Sequence, residues 1–255
     1  MSLHRFIVAP ADIDGEGATI QGPEGHHLSA VLRLRPGEEV AVLDGSGAVY
    51  PGQLVQVGDG WARVRFTGGR MPASEPPVPV TLVQALVKGE RMDLVLQKAV
   101  ELGVSCVVPV VSERTVVRLE GERRQERVAR WQRIAAAACK QCGRGLIPRI
   151  EALQDLGAVL ERGRLRPAVM LYEAERSMGL KQVLRAWRER CRQEGLLLFV
   201  GPEGGFSPAE VEQARSCGVV GTGLGPRILR AETAGIVGLA LVLYELGDLG
   251  GGDER

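Results

Sequence analysis

The chain has 255 residues, of which 45% are hydrophobic and 25% are charged, and its formal net charge at pH 7 is +1. This composition is typical of a soluble globular protein, and a nucleic-acid partner cannot be argued from so small a total charge. The N-terminus lacks the basic, apolar and small-residue order of a signal peptide, and the most apolar tract, 236–246, is about half of a membrane span. We therefore expect a cytoplasmic protein with no membrane partner.

The first part of the chain consists of short apolar runs that are separated by turn signals. The runs FIVAP, EEVAVLDGSG, VYPGQLVQVGDG and WARVRF recur at about 8–12 residues, which predicts a small antiparallel β domain, a barrel. Only 26–34 interrupts this pattern, with a helix-like turn. Glycine and proline cluster at 68–79, and we place the domain boundary there. The predicted domains are 1–70 and 78–247.

The second part of the chain alternates between apolar strands and amphipathic helices. One helix ends at Gly103, and a long one ends at Gly143. Five apolar strands that alternate with helices predict an α/β domain with a parallel sheet covered on both faces. The predicted strands are 80–87, 105–111, 168–172, 196–200 and 219–224.

The five cysteines give no signature of a disulfide framework or a metal site. Their number is odd and they are scattered over the chain. Cys139 and Cys142 form a CxxC motif, but no second CxxC or suitably spaced histidine completes a zinc site. The motif lies within a helical pattern, so we interpret both residues as packed hydrophobes and expect no metal.

A local excess of positive charge stands out against the neutral total. Residues 113–149 carry ten Lys/Arg and four Glu, a net charge of +6. A patch of this size could hold phosphates. The alternative is a solvated helix face with i,i+4 pairs such as Glu126–Arg130, and charge alone leaves both interpretations open.

The stretch GPEGGFSPAE follows the predicted strand at 196–200. Ser207 and Glu210 form a capping box, with Pro208 at the first helical position, so the glycines lie on the turn at the carboxyl end of a strand. Open α/β sheets bind ligands at this edge. The turn lacks the lysine of a P-loop and the GxGxxG spacing, and Glu203 would repel a phosphate. It therefore favours a ligand with no phosphate or with positive charge, unless the glycines only build a tight turn.

A second candidate loop is LGPRILRAETA at 224–234. Gly225 lets the backbone approach a ligand closely, and the amides of 228–230 could bind an adenine or a carboxylate. The helix that follows is apolar on nearly every face, which indicates burial in a core or at a subunit interface. We expect Gly235 and Gly238 to let another helix approach. Arg230 and Glu232 are the nearest charged residues, with a structural ion pair as the alternative role.

These two loops resemble the C-terminal signature of the RsmE family of 16S ribosomal RNA (uracil-N3) methyltransferases, of the SPOUT superfamily. Similar segments run through the whole chain: HHLSAVLRLRPGEEVAVLDGSG, KGERMDLVLQKAVELGV, VPVVSERTVV and AAAACKQCGR. The family pattern has Glu-Gln-Ser where this chain has Lys140-Gln141-Cys142, a departure in the RNA-facing helix.

The resemblance implies an N-terminal PUA-like β barrel that binds RNA and a C-terminal SPOUT domain with a trefoil knot. It also implies S-adenosylmethionine as methyl donor, a homodimer, and methylation of N3 of one uridine in small-subunit ribosomal RNA. By analogy, three loops bind the cofactor through Leu171, Gly201, Pro202, Leu224, Gly225, Ile228, Leu229 and Arg230. The implied RNA contacts are Arg5, His26, Arg33, Arg123, Arg124 and Arg127, although the first interpretation of the histidines is local packing.

Uridine N3 bears a proton, so we hypothesise a general base, with Glu232 and Glu203 as candidates. Arg230 would stabilise negative charge on a uracil carbonyl oxygen. Hydroxide-assisted proton loss is the alternative to a general base. Two other functions stay open: a SPOUT methyltransferase that acts on another RNA position or a ribose 2'-hydroxyl, and a non-catalytic PUA-type RNA-binding protein.

Overall fold

The structure is a computed structural model that describes residues 3–72 and 75–250. The described residues form two compact units. The first contains the chain up to Glu75 together with Ala136–Ile147, and the second contains Pro76–Ala135 and the chain from Pro148 onward. The domain limits 1–70 and 78–247 stay a prediction.

The first unit is built on one six-stranded sheet with the order β1-β3-β4-β5-β2, in which β6 pairs with β4. Its strands are β1 (His4–Ile7), β2 (Gly17–Ile20), β3 (Glu39–Leu43), β4 (Ala48–Gly58), β5 (Trp61–Phe66) and β6 (Met71–Pro72). The pairs are antiparallel except β1 with β3, which is parallel. The expected β domain is therefore present but not wholly antiparallel, because the long segment between β1 and β3 makes a crossover.

The helical interruption expected at 26–34 is also present. Helix α1 (Gly22–His26) continues into a π-helical stretch, His27–Leu32, which ends at Arg33 with a left-handed φ of 54°. Leu28 faces inward and packs with buried strand residues such as Phe6 and Leu54. This packing orients the stretch so that the neighbouring side chains of His26 and Arg33 are exposed.

The second unit contains a seven-stranded sheet in which every pair is parallel. Its strands are β7 (Val80–Ala85), β8 (Cys106–Val111), β9 (Arg149–Ile150), β10 (Gln154–Asp155), β11 (Ala168–Leu171), β12 (Leu196–Val200) and β13 (Val220–Thr222). The order is β10-β8-β7-β12-β11-β13, and β9 pairs with β8. The predicted α/β class with a parallel sheet is confirmed, and the knot stays a prediction.

Helices cover both faces of this sheet. They are α2 (Arg91–Leu102), α3 (Glu122–Cys142), α4 (Leu156–Leu160), α5 (Leu180–Ala186), α6 (Arg188–Glu194), α7 (Pro208–Ser216) and α8 (Ala231–Glu245). Gly103 ends α2 with a φ of 112°, a conformation that L side chains rarely adopt. From Ala136 onward, α3 belongs to the first unit. Among the described residues, no helix is long and apolar enough to cross a membrane.

Helix α8 packs tightly on the sheet through its two central glycines. A Cβ atom on Gly235 would lie 2.7 Å from Gln84 Oε1, and one on Gly238 would lie 2.7 Å from Leu171 Cδ1. The expectation that these glycines admit another helix is wrong: their close neighbours are side chains of β7, β11 and β12. Three strands are therefore held close to the first half of α8, which follows the second candidate loop.

Candidate active site

A cleft of about 590 Å³ lies where β11, β12 and β13 end, at the carboxyl edge of the parallel sheet. Three loops form it, one after each of these strands, and the start of α8 closes it. Such a volume suits a small-molecule ligand. The lining residues are Arg91, Leu171, Tyr172, Glu173, Val200, Gly201, Pro202, Glu203, Gly204, Gly205, Thr222, Gly223, Leu224, Gly225, Arg227, Ile228, Leu229, Arg230, Ala231 and Ala234.

The GPEGG loop is a tight turn between β12 and α7. The Gly205 amide donates to the Pro202 carbonyl at 2.9 Å, and Gly205 has a φ of +66°. The capping box is confirmed: the Ser207 hydroxyl accepts from the Glu210 amide at 3.2 Å, and the Glu210 carboxylate accepts from the Ser207 amide at 2.8 Å. The helix therefore starts at a defined residue and fixes one end of the turn.

The third loop runs from the end of β13 to the start of α8. Gly225 has a φ of +116°, and nothing lies within 4 Å of the position a Cβ atom would take, so conformation rather than space requires glycine there. Arg230 is the N-cap residue of α8 with extended backbone and contributes no side-chain cap. Its exposed side chain has no ion-pair partner in the described part of the chain, so it is free to meet a ligand.

All eight residues predicted to bind a cofactor line this one cleft. They come from three loops that are far apart in sequence, and the parallel strand order brings them together because every strand of such a sheet ends at the same edge. Of the three catalytic candidates, Arg230 and Glu203 line the cleft. Glu232 lies in the first turn of α8, buried and outside the lining.

The two candidate glutamates share one cation, Arg91, which precedes them by more than a hundred residues. Arg91 Nη1 and Glu203 Oε1 are 3.2 Å apart, and Arg91 Nε and Glu232 Oε1 are 3.7 Å apart. Glu203 Oε1 also accepts from the Lys88 amide at 2.9 Å. Glu232 Oε2 is buried, and it has no hydrogen-bond partner among the described residues. Arg91 therefore fixes both carboxylates at the edge of the cleft.

Three charged residues of the cleft were not predicted from the sequence: Arg91, Glu173 and Arg227. Arg91 begins the helix that follows β7, and Glu173 follows β11. Their positions just beyond predicted parallel strands were a usable signal, because such residues collect at the ligand-binding edge. Glu173 and Arg227 have no ion-pair partner within 3–72 or 75–250.

The RNA-binding candidates do not line this cleft. Arg5, His26 and Arg33 belong to the first unit, where the Arg5 guanidinium donates to the Lys140 carbonyl at 3.5 Å. The other three, Arg123, Arg124 and Arg127, lie in the first turns of α3. Arg123 and Arg124 are exposed and Arg127 is half-buried, and Arg124 Nε donates to the Leu119 carbonyl at 2.7 Å.

Of the two CxxC cysteines, Cys139 is buried as expected, whereas Cys142 is exposed, so the prediction that both pack as hydrophobes is wrong for Cys142. Burial raises the pKa of the Cys139 thiol to about 12, and its Sγ donates to the Leu146 carbonyl at 3.4 Å. Such a thiol stays protonated at neutral pH, whereas metal binding needs the thiolate. In the described ranges, no group of three or more His, Cys, Asp or Glu could hold a metal ion.

The cleft offers backbone groups, apolar side chains and charges of both signs, but no lysine. The free carboxylate of Glu173 suits a cationic group, and the free guanidinium groups of Arg227 and Arg230 suit a carboxylate or a polarised carbonyl oxygen. Backbone groups at the glycine turns suit the edge of a base. The arrangement fits a zwitterionic nucleoside ligand without phosphates.

Comparison with known families gives two matches along the chain. Residues 74–243 match the family described as an RNA methyltransferase domain, and residues 20–66 match an RNA methyltransferase PUA domain. A ribosomal RNA small subunit methyltransferase E of Mycobacterium bovis is 33% identical over 243 residues, which are 93% of this chain and 90% of that protein.

The solved structures that resemble this chain over nearly its full length include two with a bound cofactor. One is a ribosomal RNA small subunit methyltransferase E of Neisseria gonorrhoeae bound to S-adenosyl methionine, with 34% identity, a TM-score of 0.81 and coverage of 94% of this chain and 96% of that one. The other is from Legionella pneumophila, described as a methyltransferase in complex with the bound cofactor SAM. It has 30% identity, a TM-score of 0.84 and full coverage of both chains.

Proposed function

This chain belongs to the ribosomal RNA small subunit methyltransferase E family, and we therefore propose that it methylates ribosomal RNA of the small subunit with S-adenosylmethionine as donor. The observation that carries the proposal is the convergence of three loops, one after each of β11, β12 and β13, on one cleft at the carboxyl edge of the sheet. The finer proposal is that the acceptor is N3 of one uridine in 16S RNA.

S-adenosylmethionine fits the residues of the cleft. When bound, it supplies an electrophilic methyl group on a positively charged sulfur atom. The residues that would hold it include Leu171, Gly201, Leu224 and Gly225, mainly through the backbone. Glu173 would face its cationic part, and Arg227 its carboxylate. These residues provide alignment for an in-line displacement, which is the main contribution that an enzyme makes to such a step.

The acceptor base would meet a pair of charges at the mouth of the cleft. Glu203 lines the cleft and would accept the N3 proton, whereas Glu232 is buried beside Arg91 and is the second candidate. Arg230 would lie against a uracil carbonyl oxygen and stabilise the negative charge that proton loss creates there.

To test whether a glutamate is the general base, each of the two glutamates is replaced by glutamine and the rate of methyl transfer is followed against pH. Full activity of both variants would remove the base from the mechanism.

The RNA would be held outside the cleft by positive side chains. The candidates are the first turns of α3, with Arg123, Arg124 and Arg127, and the first unit, with Arg5, His26 and Arg33. Support comes from the exposure of most of these side chains and from the match of residues 20–66 to a PUA domain. Phosphate contacts of this kind provide affinity and register rather than base identity.

The assembly proposed is a homodimer that works in the cytoplasm, where ribosomal RNA is found. Support comes from an exposed apolar stripe on α8: Val237, Leu241 and Tyr244 are 36%, 43% and 61% exposed. Their spacing of four and three residues puts them on one side of the helix. A second copy of the chain would cover this stripe and remove it from water.

The decisive experiment is to map the methylated nucleotide. Small ribosomal subunits that lack the modification are incubated with the protein and labelled donor, and the product RNA is digested and analysed by mass spectrometry. The expected product is 3-methyluridine at one position. A label on a ribose hydroxyl, or on another base, would contradict the N3 proposal. Calorimetry with the donor tests the alternative of a non-catalytic RNA-binding protein, because a site that no longer binds S-adenosylmethionine gives no heat of binding.

A further inference from the structure

A short turn after β8 contacts the GPEGG loop and belongs to none of the three cofactor loops. The Ser112 amide donates to Thr115 Oγ1 at 2.9 Å, and the Thr115 amide donates to the Ser112 carbonyl at 3.0 Å. Ser112 is buried. These two bonds close the turn on itself, so the residues between its ends, Glu113 and Arg114, project from a defined backbone.

The Arg114 side chain reaches the backbone of the GPEGG loop. Its Nη1 donates to the Gly204 carbonyl at 3.0 Å and to the Phe206 carbonyl at 3.5 Å. A Cβ atom on Gly204 would lie 3.2 Å from Arg114 Cβ, so the loop backbone and the arginine are in close contact. One guanidinium therefore bridges two carbonyl groups on either side of Gly205, the residue with a φ of +66°.

A second hydrogen bond joins the turn after β8 to the first turn of α7, which follows the GPEGG loop. Glu210 Oε1 accepts from the Glu113 amide at 2.7 Å, while its Oε2 accepts from the Ser207 amide at 2.8 Å. The carboxylate that caps α7 thus also holds the turn after β8. The capping box alone would need only one of these bonds.

We propose that Arg114 is a positioning residue for the cofactor loop, holding Gly201–Phe206 in the shape that binds the donor, with the Glu113–Glu210 bond as a second support. The identity of the donor rests on the proposed function. Arginine suits this place because its planar fork carries several donors in fixed geometry, which a lysine ammonium lacks. Arg114 thereby differs from its basic neighbours at 118–127, because its guanidinium binds the carbonyl groups of Gly204 and Phe206.

The first test separates positioning from charge. S-adenosylmethionine affinity is measured by calorimetry for the wild type, Arg114→Lys and Arg114→Ala, with Arg118→Ala as control because Arg118 is exposed and has no partner among the described residues. We expect both Arg114 variants to bind the donor about 5- to 10-fold more weakly, the loss that one or two hydrogen bonds explain, and Arg118→Ala to match the wild type. RNA affinity of Arg114→Lys should stay unchanged. Unchanged donor affinity in both Arg114 variants would overturn the proposal.

The second test needs no cofactor. Hydrogen exchange of the Gly205 amide, which is bonded to the Pro202 carbonyl, is compared between wild type and Arg114→Lys by NMR. Faster exchange confined to 201–206, with an unchanged melting temperature, is the expected result. Equal exchange rates would contradict positioning, and so would a uniform increase across the sheet, which reports lost global stability.

A third variant tests the second support. Glu210→Gln keeps a capping box but has one acceptor oxygen for two amides, so donor affinity should fall by a smaller factor, about 2- to 3-fold. An affinity equal to that of the wild type would remove the Glu113–Glu210 bond from the proposal. If the wild type binds no S-adenosylmethionine, the proposed function fails, and the exchange experiment alone then decides the role of Arg114.

Discussion

The Glu173 carboxylate lies over the backbone of Gly205: a Cβ atom on Gly205 would stand 2.6 Å from Glu173 Oε1. Two loops of the cleft, one after β11 and one after β12, therefore touch at a point where a side chain at position 205 would displace the Glu173 carboxylate. The φ of +66° at Gly205 adds a second requirement for the same residue. This contact closes one wall of the cleft and places a free carboxylate in it.

We expect Gly205→Ala to damage the cleft more than the fold. The new methyl group would displace Glu173, and the left-handed backbone costs about 1–2 kcal/mol for a residue with a Cβ atom. Donor affinity measured by calorimetry should fall at least tenfold, while circular dichroism stays native. Gly221→Ala is the matched control, because its Cβ would meet nothing within 4 Å. Equal affinities of the two variants would show that the contact is unimportant.

Arg91→Ala should lower stability and activity together. It leaves the buried carboxylate of Glu232 without its cation, which costs on the order of 1–3 kcal/mol in the free energy of unfolding. Methyl transfer should slow because Glu203 loses a partner at the same time. The double variant Arg91→Ala/Glu232→Gln should recover part of the stability, since no buried charge is then left unpaired. Additive losses measured by denaturant unfolding would argue against the coupling of Arg91 and Glu232.

The lowered pKa of the Glu151 carboxyl group predicts how the stability of the folded protein depends on pH. Burial raises the pKa of its carboxyl group, but hydrogen bonds from Arg162 and Gln154 and the charges of Arg162 and Arg149 outweigh burial and hold that pKa at about 2, against an ordinary value of 4.5. A carboxyl group with a lowered pKa stabilises the folded state above the unfolded value, and this contribution is lost as the pH falls through the folded value. Glu151→Gln should thus be less stable by about 1–3 kcal/mol at pH 7.

The difference between Glu151→Gln and the wild type should shrink as the pH falls from 4.5 towards 2, as measured by urea unfolding at each pH. Glu194→Gln serves as control: its pair with Arg190 is an exposed i,i+4 pair, which contributes about 0.3–0.5 kcal/mol. A constant difference across that pH range would mean that ionisation of Glu151 is not what stabilises the fold.

Alanine at Arg123, Arg124 and Arg127 should weaken RNA binding and flatten its dependence on salt. Each phosphate contact contributes about 0.7–0.9 to the slope of log K against log salt concentration, so losing three should reduce the slope by about 2–3. The control is alanine at Arg190 and Arg192, which pair with glutamates on α6. An unchanged slope in the triple variant would support a solvated helix face.

Leu241→Glu should produce a monomer if α8 forms the dimer interface. A charge in the middle of a covered apolar stripe would be buried without a partner, which strongly opposes association. Light scattering coupled to size exclusion measures the mass directly, and Glu212→Lys on α7, far from the stripe in sequence and exposed, is the control. A wild type that is monomeric at micromolar concentration would contradict the dimer itself.

Much of the local structure followed from residue patterns. The capping box at Ser207, the glycine that ends α2 and the five apolar strands were all predicted because each depends on neighbours in sequence: a cap, a turn or a run of apolar residues. The break between α5 and α6 was not predicted: Trp187 leaves helical geometry with ψ of 8° and separates the two helices.

Residue patterns predicted only part of the chemistry of the cleft. The absence of lysine and the presence of Glu203 indicated a ligand without phosphate, because residue type alone decides that. The pairing of Glu203 with Arg91 and the contact of Arg114 with Gly204 join segments 112 and 90 residues apart. Such contacts depend on strand order, β7 beside β12 and β8 beside β7, which no local pattern specifies. Sequence patterns therefore determined the elements, their caps and the character of the ligand, whereas the parallel packing of the strands decided which side chains share the cleft.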